Sequence, residues 1–261
     1  AWHDIGLRLH RDAAGDVGFE VRVGGGMGRT PIIGRVIASF VPWQEILVYL
    51  EAVVRVYNRF GRRDNAYKAR IKILVKAEGQ RFADAVAEEF RQILERDVEG
   101  DAQILTAAER DRVSAAFVEP EAVAKLPRTA VPTPQAPGEP GYARWVERNV
   151  HPHRHPALRA VTLSLKRSGL PPGDATDTQL DGAADLAERF SLGELRVTHE
   201  QNLVLPWVKA EDLPALWRAA RAGGFATPNI GLVTDMIACP GGDLCALANA
   251  RTIPIAQQLA E

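Results

Sequence analysis

The chain has two cysteines, Cys239 and Cys245, and both lie near its end. Five residues separate them, and Pro240-Gly241-Gly242 can fold the intervening loop back so that both sulfur atoms face one point. We expect Asp243 to cap a helix that begins near Leu244, which would place Cys245 in the first helical turn. There the helix dipole favours the thiolate, the form that binds metals. The pair is therefore a candidate for binding a metal, and the spacing alone does not decide it.

The same spacing also fits two buried structural thiols or a disulfide that closes a small loop. Zinc sites and iron–sulfur clusters ordinarily need four protein ligands, and two thiolates fall short of that number. The segment His151-Pro152-His153-Arg154-His155-Pro156 could supply zinc ligands. Its two prolines hold the imidazoles extended, so we interpret the segment as a polar loop.

A second group of candidate residues lies in the first third of the chain. A predicted strand runs directly into Gly24-Gly25-Gly26, and Arg29 follows. Glycines let backbone amides approach an anion closely, although the spacing completes neither a dinucleotide fingerprint nor a P-loop and a plain turn stays an alternative. A basic run comes later, made up of Arg59, Arg62, Arg63, Lys68, Arg70, Lys72 and Lys76. Such a run is either a solvated surface or a site for a polyanionic ligand.

The composition is that of an ordinary globular protein. The 261 residues are 46% hydrophobic and 25% charged, with a net charge of -1, and are enough for two domains. This balance gives no reason to expect nucleic acid or an anionic membrane surface as a partner. No run of about 18 apolar residues exists, so we expect no membrane span. Two cysteines and the lack of a secretion signal predict a cytoplasmic protein.

Hydrophobic periodicity predicts the elements that must position these residues. In the first half we expect strands over 5–10 and 18–23 and helices over 43–60 and 81–94, with a capping box at Thr106 opening a third helix. The face of the first helix predicted to be core consists of Trp43, Ile46, Leu47, Leu50, Val53, Val54 and Tyr57. Residues 126–141 are rich in proline and read as a linker or an exposed strap.

In the second half, strands are predicted over 160–166, 194–198 and 203–206, and helices over 177–190 and 211–222. The connection His199-Glu200-Gln201-Asn202 is a tight turn between two of these strands. The order strand, helix, strand, strand, helix predicts an α+β sandwich with antiparallel strands and helices on one face.

Four stretches, in this order, resemble the siroheme-dependent sulfite and nitrite reductases. They are Gly18 to Gly28, Tyr57 to Lys72, Leu195 to Leu205, and Cys239 to Ala248. The resemblance implies an α+β fold whose second half is a ferredoxin-like sandwich. It implies four segments: a siroheme and iron–sulfur type domain over 1–125 that ends a first repeat, the linker over 126–141, a ferredoxin-like half-domain over 142–225, and the start of a second siroheme and iron–sulfur domain over 226–261.

By this resemblance, Cys239 and Cys245 are two of the four cysteine ligands of a 4Fe-4S cluster. The family's later C-x3-C pair, which completes the cluster and bridges it to the siroheme iron, is not among these residues, and neither is its N-terminal half-repeat. The chain begins with Ala1 and ends in a helix still in progress, so we expect a piece of a longer protein. Because these residues cannot complete the cluster, we expect them to be inactive alone. Siroheme is rich in carboxylates, and the candidate residues for binding it are Gly24, Gly25, Gly26, Arg29, Arg62, Arg63, Lys68, Arg70, Lys72, His199, Gln201 and Asn202.

The implied reaction is the six-electron reduction of sulfite to sulfide or of nitrite to ammonia, with electrons supplied by ferredoxin or a flavoprotein subunit. The cofactor carries this chemistry and the protein orients it, and no catalytic residue is predicted. The alternative from another class is a non-enzymatic α+β module that binds an anion in a basic groove and whose cysteines are structural. A zinc site built from the two cysteines and the histidine segment is the third interpretation.

Overall fold

The computed structural model of the protein describes residues 3–28, 30–96, 103–136, 138–246 and 248–261. The chain divides into two compact units, Ala1–Val118 and Glu119–Glu261. Each unit has a hydrophobic core of its own. Among the described residues, no helix is both long and apolar enough to cross a bilayer.

The first unit contains an antiparallel sheet in the order β1-β2-β3, formed by Ile5–Arg11, Val17–Val23 and Arg35–Pro42. The first two strands confirm the predicted hairpin, whereas β3 was not predicted. Alternation along β2 turns Val21 and Val23 into the core, where both are fully buried. A bulge in β2 near Val21 shifts its register against β3.

Helices follow this sheet in the chain, and some of them pack on it. A 3-10 turn, Trp43–Glu45, leads into α1, Ile46–Phe60, followed by α2, Ile71–Glu78, α3, Gln80–Arg96, and α4, Ala107–Ser114. The predicted helices over 43–60 and 81–94 are confirmed, apart from the tighter first turn. Thr106 caps α4, because its side chain accepts a hydrogen bond from Glu109 N at 3.1 Å. The predicted capping box is only half formed, since the Glu109 carboxylate pairs with Arg112.

The predicted core face of α1 is partly wrong. Leu47 and Val54 are 51% and 43% exposed, while Val48, Ala52 and Val56 are buried instead. The cause is that α1 contacts both α3 and β3, so the buried arc is centred between two partners and not on the widest apolar stripe.

The second unit is built around an antiparallel sheet in the order β4-β5-β7-β6. Its strands are β4, Val150–Pro152, β5, Leu158–Leu163, β6, Arg196–Val197, and β7, Leu203–Lys209. Its helices are α5, Glu121–Ala124, α6, Tyr142–Asn149, α7, Asp177–Phe190, α8, Leu213–Ala222, and α9, Thr252–Ala260. Residues of α6, α7 and α8 share one core with β5 and β7, and Trp145 is fully buried there. The predicted α+β class with antiparallel strands is confirmed.

Within this unit the helix over 177–190 has the predicted bounds, set by a complete capping box between Thr176 and Gln179. The proline-rich residues 126–136 form neither helix nor strand and belong to the second unit. They lie against it as a strap, because Val131 O accepts from Arg159 at 2.7 Å and Pro134 O accepts from the Tyr142 hydroxyl at 3.0 Å.

Candidate functional site

The loop that carries the two cysteines folds back on itself. Both thiols are exposed and free. Cys245 N donates to Gly241 O at 2.9 Å, and Gly242 N donates to Ala250 O at 2.8 Å. Gly241 has a φ of +57° and lies so close to the following segment that a Cβ there would meet Ala250 O at 2.6 Å. Glycine is therefore required at this point of the turn.

The predicted helix at Leu244 is wrong. Gly241–Asp243 forms a single 3-10 turn that ends at Leu244, so Cys245 does not lie at a helix N-terminus and no helix dipole acts on it. Asp243 caps nothing, because its carboxylate pairs with Arg251 at 2.7 Å. Helix α9 begins later, and its Thr252 hydroxyl donates to Cys239 O.

The predicted tight turn at residues 199–202 lies beside the cysteine loop. Gln201 adopts a left-handed conformation with a φ of +57° and packs on Gly173, where a Cβ would meet Gln201 Cβ at 2.8 Å. The Gln201 amide forms two hydrogen bonds with the backbone of Ala238. Its Nε2 donates to Ala238 O at 2.9 Å, and its Oε1 accepts from Ala238 N at 3.1 Å. Ala238 directly precedes Cys239.

A buried ion pair contacts the tight turn and the segment that leads to the cysteine loop. The Lys166 ammonium lies 2.8 Å from Asp235 Oδ1, and the two side chains are 2% and 7% exposed. Lys166 also donates to Glu200 O and, at 3.1 Å, to Asp235 O. Asn202 Nδ2 donates to Asp235 Oδ1 at 2.9 Å, while Asn202 Oδ1 accepts from Leu165 N at 3.1 Å. The ion pair thus joins the end of the sheet, the tight turn and the 229–238 segment.

Asn229 extends these contacts. Its Nδ2 donates to Lys166 O at 3.0 Å and to Thr234 O at 3.2 Å, and its Oδ1 accepts from the Ser164 hydroxyl at 2.8 Å. Sequence reasoning missed Lys166, Asp235 and Asn229. A lysine at the end of an otherwise apolar strand was the available signal, since lysine is almost never fully buried without a partner.

The histidines take separate positions. His199 has a side chain that is 88% exposed, and its Nε2 lies 3.1 Å from Glu200 Oε1. The 151–156 segment is only partly the loop predicted. His151 lies in β4 with its Nε2 3.0 Å from Thr162 Oγ1, whereas residues 153–156 form neither helix nor strand and His155 is buried. Burial lowers the pKa of His151 and of His153. Within the described ranges, no three His, Cys, Asp or Glu side chains are grouped so that they could hold a metal ion.

In the first unit, the glycine turn is a closely packed structure. Gly24 N donates to Asp4 O at 2.8 Å, and Gly26 forms a bridge with Ile32. A Cβ on Gly24 would meet Val75 of α2 at 2.8 Å, and one on Gly26 would meet Lys72 Cδ at 2.9 Å. The glycines, Gly25 among them, are buried and let α2 approach the turn.

Two of the predicted basic residues hold this turn. Lys72 is 7% exposed, and its ammonium donates to Met27 O at 3.1 Å and to Thr30 O at 2.8 Å. Arg70 forms a bidentate pair with Asp4. Arg29, predicted to bind the same anion, lies outside the described residues.

The other basic residues lie on the exposed connection between α1 and α2. Arg62 forms a bidentate pair with Asp64, which lowers the pKa of that carboxyl to about 2. Arg63 donates to Asn58 at 2.7 Å, and Lys68 is exposed. The structure thus brings Gly24, Gly26, Arg70 and Lys72 together in one set of contacts. Arg62, Arg63 and Lys68 lie apart from this set, on the exposed connection between α1 and α2.

The fold and site define an α+β protein with an exposed dithiol loop held against a ferredoxin-like sandwich. Residues 1–94 match the family model described as "Nitrite and sulphite reductase 4Fe-4S domain". Residues 166–223 match "Nitrite/Sulfite reductase ferredoxin-like half domain". The chain belongs to the nitrite and sulfite reductase family. Neither match reaches Cys239 or Cys245.

The chain is similar to proteins named as sulfite reductases and to others named as nitrite reductases. It is 26% identical over 244 residues to "Sulfite reductase [ferredoxin] 2" of Mycolicibacterium paratuberculosis, covering 93% of this chain and 36% of the relative. It is 27% identical over 254 residues to "Ferredoxin--nitrite reductase" of Synechococcus elongatus, covering 94% of this chain and 41% of the relative. A solved structure, that of the Mycobacterium tuberculosis NirA protein, matches the fold with a TM-score of 0.62 and 23% identity, over 99% of this chain and 40% of that one. The chain thus spans less than half the length of each of these proteins.

Proposed function

We propose that these residues are part of an assimilatory sulfite or nitrite reductase, in which Cys239 and Cys245 are two of the four thiolate ligands of a 4Fe-4S cluster beside siroheme. The observation that carries this proposal is the cysteine loop: two free, exposed thiols in a loop fastened to the half-domain of a chain from this family. Thiolates are the ligands that iron–sulfur clusters use.

The geometry of the loop fits such a group. Gly242 and Cys245 donate their backbone N–H groups inside the loop, and the Cys239 carbonyl accepts from Thr252. These contacts satisfy the backbone while both sulfur atoms stay exposed to a ligand. When bound, siroheme and the cluster would supply the electron transfer for the six-electron reduction of sulfite to sulfide or nitrite to ammonia.

The chain's own residues would bind and orient the carboxylate-rich macrocycle. Arg62, Arg63 and Lys68 are exposed cations on one connection, and guanidinium groups pair with carboxylates in bidentate geometry. Arg62 would exchange its Asp64 partner for a cofactor carboxylate. Gly24, Gly25, Gly26, Arg70 and Lys72 would serve by holding the glycine turn in shape, since their contacts are made within the first unit.

Substrate and partners follow from the relatives' names, which include sulfite, nitrite and ferredoxin. We infer that the anion reduced is sulfite or nitrite and that ferredoxin, or alternatively a flavoprotein subunit, donates the electrons, in the cytoplasm. The 261 residues contain two of the four cysteines that the cluster needs, so we expect no sulfite or nitrite reduction by this polypeptide alone.

The test compares two proteins expressed with siroheme supplied: this chain, and a version continued through a C-x3-C pair. We expect the continued version to be coloured and to contain iron, and Cys239→Ser or Cys245→Ser to remove the cluster absorption from it. If neither protein takes up iron or siroheme, the proposal is wrong. The basic connection would then be tested as the anion-binding surface of a non-enzymatic module by titration with sulfate and with a polycarboxylate.

A further inference from the structure

We propose that Gln201, supported by the buried Lys166–Asp235–Asn202 network, is a positioning residue that holds the Cys239 loop ready for a metal before the metal binds. This inference rests on the proposed function in one respect, that Cys239 and Cys245 are metal ligands.

The contact between Gln201 and Ala238 acts on the cysteine directly. The side-chain amide donates to and accepts from the backbone of one residue, at 2.9 and 3.1 Å, so it fixes both the position and the orientation of that peptide. Ala238 is 9% exposed, whereas the next residue, Cys239, is exposed. Ala238 is therefore a buried anchor between the exposed Ile237 and Cys239, and the thiol projects from this base.

Gln201 is itself held in place. Its left-handed backbone is closed by Asn202, whose backbone N–H donates to Thr198 Oγ1 at 3.1 Å and whose side chain reaches Asp235 at 2.9 Å. Lys166 donates to Glu200 O on the same turn and to Asp235 on the segment that leads to the cysteines. Glu200 and Asp235 are thus joined through one buried ammonium.

Further polar contacts hold the segment that leads to the cysteines. Asp235 Oδ2 also accepts from Gly231 N at 3.0 Å, and Asn229 ties Thr234 O to Lys166 O. Residues 229–238 contain one short 3-10 turn, Val233–Asp235, and these polar contacts hold Asn229, Gly231, Thr234 and Asp235 in place. Ligands held by a rigid outer shell bind a metal more tightly because less ordering entropy is lost on binding.

The experiment uses the chain without cofactor, cadmium ion alone as the thiolate-seeking probe, and hydrogen exchange of the Ala238 amide. In Gln201→Asn the side chain is one methylene too short to reach Ala238, yet asparagine tolerates the left-handed backbone. Gln201→Glu keeps an acceptor for Ala238 N and loses the donor to Ala238 O. Val197→Thr, at a neighbouring site that is 83% exposed, is the matched control.

We expect Ala238 exchange to be about tenfold faster in Gln201→Asn, because two hydrogen bonds are lost, with an intermediate rate in Gln201→Glu. Cadmium affinity should fall about 10- to 100-fold in Gln201→Asn, the usual cost of losing an outer-shell partner. Exchange in β5 and β7 should stay unchanged in all variants, and Val197→Thr should behave as the unaltered chain.

Three results would overturn the proposal. The first is unchanged Ala238 exchange in Gln201→Asn. The second is faster exchange with unchanged cadmium affinity, which would mean that the contact holds the loop without positioning the thiols. The third is cadmium binding by the unaltered chain no tighter than by Cys239→Ser. None of these measurements involves siroheme or iron, so failure of the cofactor-uptake test and failure of this one are distinguishable.

Discussion

Replacing Lys166 with methionine tests whether the second unit depends on its buried ion pair. Methionine keeps the length and apolar stem of lysine and removes the ammonium. The ammonium lies 2.8 Å from Asp235 Oδ1, and both side chains are almost fully buried. The substitution therefore leaves a carboxylate in the interior without its counter-charge, and it removes the donor for Glu200 O and Asp235 O.

The expected loss of stability depends on the hydrogen bonds that the unpaired Asp235 carboxylate keeps. Removing one partner of a buried ion pair costs about 3–5 kcal/mol. Asp235 keeps hydrogen bonds from Asn202 Nδ2 at 2.9 Å and from Gly231 N at 3.0 Å, which partly compensate its charge. We therefore expect the lower end, about 3 kcal/mol, in the free energy of unfolding of the second unit. Against a typical total of about 5–15 kcal/mol, this loss is large.

The assay is urea unfolding monitored by hydrogen exchange of the β5 and β7 amides, which reports on the second unit alone. The matched control is Lys125→Met, which breaks an exposed ion pair with Glu121 whose side chains are 72% and 83% exposed. It should cost about 0–0.5 kcal/mol. The double variant Lys166→Met/Asp235→Asn removes both charges and should cost less than the sum of its two single variants.

The reasoning is refuted if Lys166→Met costs less than about 1 kcal/mol, the size of an ordinary surface effect. It is equally refuted if the double variant costs the full sum of the single ones, because the two charges would then not be coupled.

Two further predictions concern the first unit. Lys72→Met should lower its free energy of unfolding by about 1–3 kcal/mol, because Met27 O and Thr30 O lose their donor, whereas Lys76→Met on the exposed side of the same helix should change little. Equal urea midpoints for the two variants would contradict this role for Lys72. Burial raises the pKa of Tyr49 to about 12. Since tyrosine in an unfolded chain titrates near about 10, the unfolded state loses its proton first, and stability should fall as the pH rises from about 10 towards about 12. Tyr49→Phe should flatten this fall between urea titrations at about pH 9 and about pH 11, and an equally steep fall in the variant would show that another group causes it.

Several elements could be read from the sequence because local interactions set them. The helix over 177–190 has a complete capping box at its start, so its bounds follow from neighbouring residues. The first hairpin and the helix ending at Phe60 follow from alternation and from the glycine that stops the helix. The resemblance to sulfite and nitrite reductases also needed only the residues themselves, and the family matches confirm it.

Other features could not be read in this way. The apolar face of the first helix predicts core positions for Leu47 and Val54, but the positions of α3 and β3 leave them exposed. The helix expected after Asp243 is absent because Arg251 takes the carboxylate and the loop closes on Ala250. In both cases, partners from another part of the chain override the local preference.

The sequence by itself determined the family and the α+β class, and it identified Cys239 and Cys245 as the candidate thiols. Tertiary structure decided what the polar side chains around them do. Gln201 and Ala238 lie 37 positions apart, and Lys166 and Asp235 lie 69 apart, so no local pattern reveals either contact. The physical reason is that a buried polar group is costly without a partner, and only the folded chain determines which partner is within reach.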